Sequence, residues 1–182
     1  MGEFLTDVKV IRERARAHME NGPVTEGYKA DRNRVIAVLN EALATEIVCV
    51  LRYKRHHFTA VGINSDAVKS EFLDHANEEQ EHADWLAERI AQLGGKPNFN
   101  PAGLTERSHS EYVEGTDLQS MIRENLVAER IAIESYSEII RWLGNDDPTT
   151  RKLMEDILKV EEEHADDMVN LLTRMGASGP AG

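Results

Sequence analysis

One four-residue signature occurs twice in this chain, and it constrains the fold more than any other feature. Glu46 and Tyr53 are followed by Glu79 and His82, and Glu129 and Tyr136 are followed by Glu161 and His164. In both copies the tyrosine stands seven residues after the first glutamate, and the histidine stands three after the second. The two glutamates are 33 residues apart in one copy and 32 in the other. All eight residues fall in stretches of helical periodicity. Four long helices carrying four carboxylates and two imidazoles at matched positions describe a four-helix bundle with a pair of metal ions in its core.

The helices can be bounded from their stop signals. Glu3 to Glu20 reads as a short amphipathic segment halted by Asn21-Gly22-Pro23. A first long helix is expected from about Asp31 to Ala60. Ser65 is the expected N-cap of a second, which continues to Leu93 before Gly94-Gly95 and Pro97. Residues 94–115 read as a long connection with one short helix around Leu104 to Tyr112. A third long helix starts near Thr116 and stops at Gly144-Asn145, and Asp147-Pro148 opens a fourth that fades near Met175. Short turns make antiparallel hairpins of the first and second helices and of the third and fourth. The expected fold is therefore all-α: a four-helix bundle with a long crossover between its second and third helices and an extra N-terminal helix. Three regions follow, a helical extension over 1–30, the bundle over 31–175 and a flexible tail over 176–182.

Periodicity also says which way the acidic residues point. Alternating steps of four and three select Val35, Leu39, Ala42, Glu46, Cys49 and Tyr53 on the first helix, and Val68, Phe72, His75, Glu79, His82 and Leu86 on the second. The third yields Leu118, Ile122, Asn125, Glu129, Ala132, Tyr136, Ile139 and Leu143. The fourth yields Met154, Ile157, Glu161, His164, Met168, Leu171 and Met175. These stripes face a bundle interior. A buried, unpaired carboxylate costs several kcal/mol, and four at one depth also repel one another. No Lys or Arg stands on the stripes, whereas two divalent cations balance four negative charges. Residues three apart lie on one helix face, so each Glu-x-x-His can offer a bridging carboxylate and a terminal imidazole. Mixed oxygen and nitrogen donors suit iron or manganese, and the lack of cysteine pairs argues against structural zinc.

Composition narrows the function further. With 21 Lys and Arg against 33 Asp and Glu, the net charge of −12 opposes nucleic acid as the main partner and favours cations. No apolar run is long enough to span a bilayer, and Met1 to Val10 lacks an apolar signal region. The single cysteine, Cys49, fits a reducing cytoplasm. No membrane partner is expected.

With these motifs in view, the chain resembles the ferritin-like superfamily, in its bacterioferritin and Dps-like (mini-ferritin) branch. The strings that carry the resemblance are Ala44-Thr45-Glu46-Ile47, Glu79-Gln80-Glu81-His82-Ala83-Asp84-Trp85-Leu86 and Glu161-Glu162-Glu163-His164-Ala165-Asp166, within about Asp31 to Met175. It implies a di-iron ferroxidase site in which Glu46 and His82 hold one iron, Glu129 and His164 the other, and Glu79 and Glu161 bridge. Tyr53 matches the tyrosine beside that site, which orders a ligand carboxylate and donates an electron. The implied activity is oxidation of Fe(II) by O2 or H2O2 with storage of Fe(III) in a hollow homo-oligomer. Two iron ions per subunit are expected, with manganese or zinc as substitutes.

Four departures qualify the resemblance. Gln80 stands where bacterioferritin carries its haem-ligating methionine, so no haem is expected. Fewer than twenty residues follow His164, which leaves no room for a fifth helix and favours a dodecamer over a 24-mer. Ala132 replaces a further glutamate of rubrerythrins, and no Cys-x-x-Cys module is present, which weakens the reading as a peroxide-removing di-iron or di-manganese enzyme. The extension to about Ala30 goes beyond the usual bundle. A Dps-type DNA-protecting shell is the third reading. Its candidate contacts, Arg12, Arg14 and Arg16, are diluted by Glu13 and Glu20, so DNA is not expected as a partner.

Other residues have plainer readings. His75 reads as a hydrogen-bonded core histidine, with a transit ligand for iron as the alternative, and Cys49 as a small packing residue. Tyr136 is expected to bond a ligand carboxylate. Glu78, Glu81, Glu162 and Glu163 read as solvated faces, with guidance of iron as the alternative, and His56 and His57 as surface or interface residues.

Overall fold

The structure, a computed structural model, describes residues 6–62 and 65–177. Its helices are α1 (Val8–Arg16), α2 (Arg32–Thr59), α3 (Ser65–Gln92), α4 (Leu104–Arg107), α5 (Leu118–Leu143) and α6 (Pro148–Ala177), with a 3-10 turn at Met19–Asn21. No strand occurs among the described residues. The long helices α2, α3, α5 and α6 form the bundle, and α2 packs chiefly on α3 and α5 on α6. Among the described residues no helix is long and apolar enough to cross a membrane.

Local chemistry sets the helix ends. Asp31 accepts from the Arg34 amide at 3.2 Å, and Asp117 and Ser120 cap one another's backbone at the start of α5. Gly144, at φ 52°, ends α5 in a conformation that side chains with a Cβ rarely adopt. At the start of α6, Asp147 is buried. It accepts from the Thr150 amide at 2.9 Å, the Arg89 guanidinium at 2.9 Å and the Tyr28 hydroxyl at 2.8 Å. That cap therefore ties α3, α6 and the end of the N-terminal extension together. Val24, Tyr28 and Ala30 also pack on the apolar core below the site.

Three expectations about the elements need correction. The N-terminal segment does not stay helical to Glu20. Ala17 is extended and His18 takes a left-handed φ of 51° before the 3-10 turn. No residue of α1 is buried, and a short helix without a packed face does not propagate. The helix expected to reach Tyr112 ends at Arg107, because the chain from Ser108 runs extended across α2. Ser65, expected as an N-cap, is already the first residue of α3, while α6 ends at Ala177, near the expected Met175. Of the expected tail, Gly176 and Ala177 are thus helical and 178–182 lie outside the described residues, as do Glu3, Phe4 and Leu5 of the expected first segment.

The stripes chosen by periodicity face inward. Every position named on them is buried except the outermost, Leu118 and Met175, which are partly exposed. Among the described residues two apolar clusters fill the bundle interior, beside a smaller one of Ala44, Val48 and Leu104 where α4 meets α2. One centres on Leu39, Leu86, Leu143 and Ile157, and the other on Phe72, Ile122, Met168 and Val68. The glutamates and histidines of the doubled signature occupy the layer between them.

Candidate metal centre

Each residue of the signature reaches this layer from its own helix: Glu46 from α2, Glu79 and His82 from α3, Glu129 from α5, Glu161 and His164 from α6. All four glutamates are at most 1 % exposed, and both histidines are 2 % exposed. Their donor atoms form two groups, each within 4.8 Å: Glu46, Glu79, His82 and Glu161, and Glu79, Glu129, Glu161 and His164. Glu79 and Glu161 belong to both. His82 Nδ1 lies 3.4 Å from Glu46 Oε2, 3.5 Å from Glu79 Oε2 and 3.0 Å from Glu161 Oε1. On the other side, His164 Nδ1 lies 3.6 Å from Glu79 Oε1 and 3.9 Å from both Glu129 Oε2 and Glu161 Oε2. Each shared carboxylate therefore turns one oxygen to each side. Donors about 2.1 Å from one ion stand roughly 3–3.5 Å apart, so these spacings suit a cation on each side.

Hydrogen bonding separates the two kinds of glutamate. Ten buried side-chain atoms lack a hydrogen-bond partner among the described residues, and eight of them belong to these six residues. Glu79 and Glu161 leave both oxygens unpaired, whereas Glu46 and Glu129 each leave one. The remaining oxygen of each is held by a tyrosine across the bundle. Tyr53 of α2 donates to Glu129 Oε1 of α5, and Tyr136 of α5 donates to Glu46 Oε1 of α2. Natural cores seldom leave buried polar atoms unpaired. Here they are concentrated on one kind of donor in one layer.

The electrostatics describe how this cluster exists without a metal. Burial, reinforced by Glu79 and Glu161, pushes the carboxyls of Glu46 and Glu129 well above the usual range. Burial also acts to raise Glu79, but the nearness of Glu46, His164 and His82 outweighs it and holds its carboxyl well below. Burial alone disfavours charged His82 and His164. The carboxylates of Glu161, Glu46 and Glu79 around His82 nevertheless raise it, and those of Glu78 and Glu79 push His164 up to about 11. Protons thus occupy the cluster, and bound cations must displace them.

Several surrounding residues differ from the expectation. Glu78, expected on a solvated face, is half-exposed but places Oε2 2.7 Å from His164 Nε2 and so orients that imidazole. His56, expected at the surface, is fully buried, with contacts of 3.1 Å to Asn125 Oδ1 and 2.9 Å to the Glu114 carbonyl. His57 is partly exposed, with Nδ1 2.7 Å from the Lys69 carbonyl. Arg52 escaped the sequence reading altogether. It is 1 % exposed and donates to Asn125 Oδ1, Ser110 Oγ, the Glu111 carbonyl and Cys49 Sγ, and to none of the four glutamates. The signal that could have found it is Asn125, a polar residue on an apolar stripe that requires a buried partner. His75 is a buried, hydrogen-bonded histidine. Burial first, and His164 second, lower its pKa to about 4, so it is neutral at physiological pH. Burial pushes the Cys49 thiol well up, which makes it a packing group rather than a nucleophile.

A four-helix bundle with one crossover and an inward layer of glutamates and histidines defines the ferritin-like class. The chain belongs to the ferritin-like domain family, which matches residues 36–177. Its relatives place it in the Dps and bacterioferritin branch. It is 32 % identical over 139 residues to the nutrient stress-induced DNA-binding protein of Synechococcus sp., covering 74 % of this chain and 78 % of that one. It is 29 % identical over 140 residues to the bacterioferritin of Desulfovibrio desulfuricans, covering 76 % and 74 %. Among solved structures, the dodecameric thioferritin of Bacteroides fragilis, a bacterioferritin-related protein, superposes with a TM-score of 0.79 at 34 % identity, over 82 % of this chain and 90 % of that one.

Proposed function

We propose that this protein is a ferroxidase that oxidises Fe(II) to Fe(III) and stores it in a hollow oligomer. Glu46 and His82 hold one Fe(II), Glu129 and His164 hold the other, and Glu79 and Glu161 bridge them. The observation that carries this reading is the set of eight unpaired donor atoms, divided between two groups that share Glu79 and Glu161. Two Fe(II) ions side by side supply the two electrons that reduce O2 to H2O2, or H2O2 to water. Tyr53 orients Glu129 by a hydrogen bond and would be the electron donor that the resemblance implies. Manganese or zinc can occupy the same donors.

Anaerobic Fe(II) titration is the direct test. The centre should take up about two ions per chain, and rapid oxidation in air should follow. Glu79→Ala removes a carboxylate that both positions use and should abolish both properties. If both survive, the assignment is wrong. Many peroxide turnovers without accumulating Fe(III) would favour a peroxide-removing enzyme instead.

The storage shell is a proposal of its own, supported by the dodecameric relative. Native mass spectrometry should give about 250 kDa for a dodecamer of this 20.5-kDa chain, and a 24-mer would double that. A DNA-protecting shell is the second reading. It is favoured by the name of the Synechococcus protein and by the exposed arginines of α1, Arg12, Arg14 and Arg16. The net charge of −12 opposes it, and no retardation of DNA is expected in a gel-shift assay at physiological salt.

A further inference from the structure

The two metal positions use the same donor types in different surroundings. On α3, Glu71, His75 and Glu78 stand eight, four and one residues before Glu79, and on α6 Asp167 stands three after His164. The corresponding places in the other half hold Leu153, Ile157 and Val160 before Glu161, and Trp85 after His82. The His164 side therefore has a polar surround where the His82 side has an apolar one.

That polar surround is assembled around His75. The ring is 3 % exposed and stacks on His164 with centroids 3.9 Å apart. Its Nδ1 lies 3.1 Å from the Tyr53 hydroxyl oxygen. Tyr53 gives its own proton to Glu129, so the phenol oxygen accepts a hydrogen bond from His75 Nδ1. A neutral imidazole protonated on Nδ1 carries its lone pair on Nε2. That lone pair points between Glu71 Oε1 and Asp167 Oδ2, 3.6 Å from each and beyond hydrogen-bond reach. The Nε2 edge of the ring thus faces two carboxylates, an arrangement that a bound cation would stabilise. Partial burial, and then Asp167 and Asp74, push the Glu71 carboxyl above its usual range, against the opposing influence of Arg174.

We propose that Glu71, His75 and Asp167 form a third divalent-cation site, which loads Fe(II) into the His164 side of the centre. The three donor atoms lie within 4.8 Å of one another. His75 also belongs to a second such group with Glu78 and His164, which adjoins the centre. Outward, Asp167 joins Glu162, Glu163 and Asp166 along an open acidic groove on α6, with Lys159 the one cation lining it. One nitrogen and two oxygens suit Fe(II), and Co(II) is its redox-stable probe. The loading role rests on the ferroxidase reading, whereas the site itself does not.

The experiment is an anaerobic Co(II) titration of the full chain beside its Glu71→Gln/Asp167→Asn double variant. Both substitutions are near-isosteric and fall on partly exposed side chains. The wild type should take up one more ion per chain than the variant. At limiting Fe(II), the variant should oxidise iron about tenfold more slowly. Equal Co(II) stoichiometry in the two proteins overturns the site. A lost ion with an unchanged rate overturns the loading role. A third ion bound in a wild type that cannot oxidise Fe(II) at all supports the site and defeats the ferroxidase reading instead. Should the variant not fold, anomalous scattering from Co(II)-loaded wild-type crystals decides. A peak among Glu71, His75 and Asp167 supports the site, and none there overturns it.

Discussion

The hairpin of α2 and α3 and the hairpin of α5 and α6 carry the same glutamate, tyrosine and histidine positions, yet almost nothing around those positions is shared. Tyr53 and Tyr136 each hold a glutamate of the opposite hairpin, but only Tyr53 has a further partner, His75. His164 has a carboxylate, Glu78, 2.7 Å from its outer nitrogen, while His82 packs its ring beside Trp85 at 5.4 Å between centroids. Cys49 and Arg52 on α2 correspond to Ala132 and Ser135 on α5. Inner donors must match because charge and geometry fix them. Outer residues are free to differ, so differences of function between the two sides must lie there.

The sharpest way to break this comparison is to remove a shared donor. Glu161→Ala should empty both positions and lower initial Fe(II) oxidation more than 100-fold in stopped-flow measurements, whereas His82→Ala should leave one Co(II) bound in the His164 half. Removing a tyrosine hydroxyl comes next. Tyr53→Phe frees Glu129 and also leaves His75 without its partner, so oxidation should slow by about 10–100-fold. Tyr136→Phe disturbs only Glu46 and should cost less in the same assay.

Acidity tests the halves together. The raised carboxyls of Glu46 and Glu129 hold protons in the metal-free protein, and two cations must expel them. Co(II) affinity should therefore fall as pH falls, about tenfold per pH unit for each proton released, as calorimetry in buffers of different ionisation enthalpy would show. An affinity independent of pH between 6 and 8 would contradict this. The smallest effect is expected from giving the apolar side a polar entrance. Trp85 is 40 % exposed, and Trp85→Asp should change Fe(II) oxidation by no more than about twofold, because Leu153, Ile157 and Val160 still line that side.

Much of this architecture was legible beforehand, for identifiable reasons. A stripe that reads Val35, Leu39, Ala42 and then Glu46 has one consistent inward face, so both the bundle and the meeting of the signature residues in one layer follow from periodicity. Asp31, Thr116 and Asp147-Pro148 marked three helix starts to within a residue or two. What stayed hidden depends on the crossover. Arg52 lies off the stripe, whereas His56 is the stripe's next step beyond Tyr53, a step not taken from the sequence. Ser110, Glu111 and Glu114 cover them, and no periodicity traces the path of that segment. Glu78 was hidden for a related reason, because its partner His164 belongs to another helix and the pairing depends on how α3 and α6 sit together.

The crossed tyrosines have one further consequence. Because Tyr53 secures Glu129 and Tyr136 secures Glu46, each hairpin keeps in place a donor that the other one owns. Glu79 and Glu161 extend that exchange, since each offers an oxygen to both sides. Neither hairpin expressed alone would contain a finished cation pocket, and a mixture of the two would have to dock correctly before either could bind. On the proposed ligand set, an ion bound at the centre would act as a rivet between the two halves of the chain.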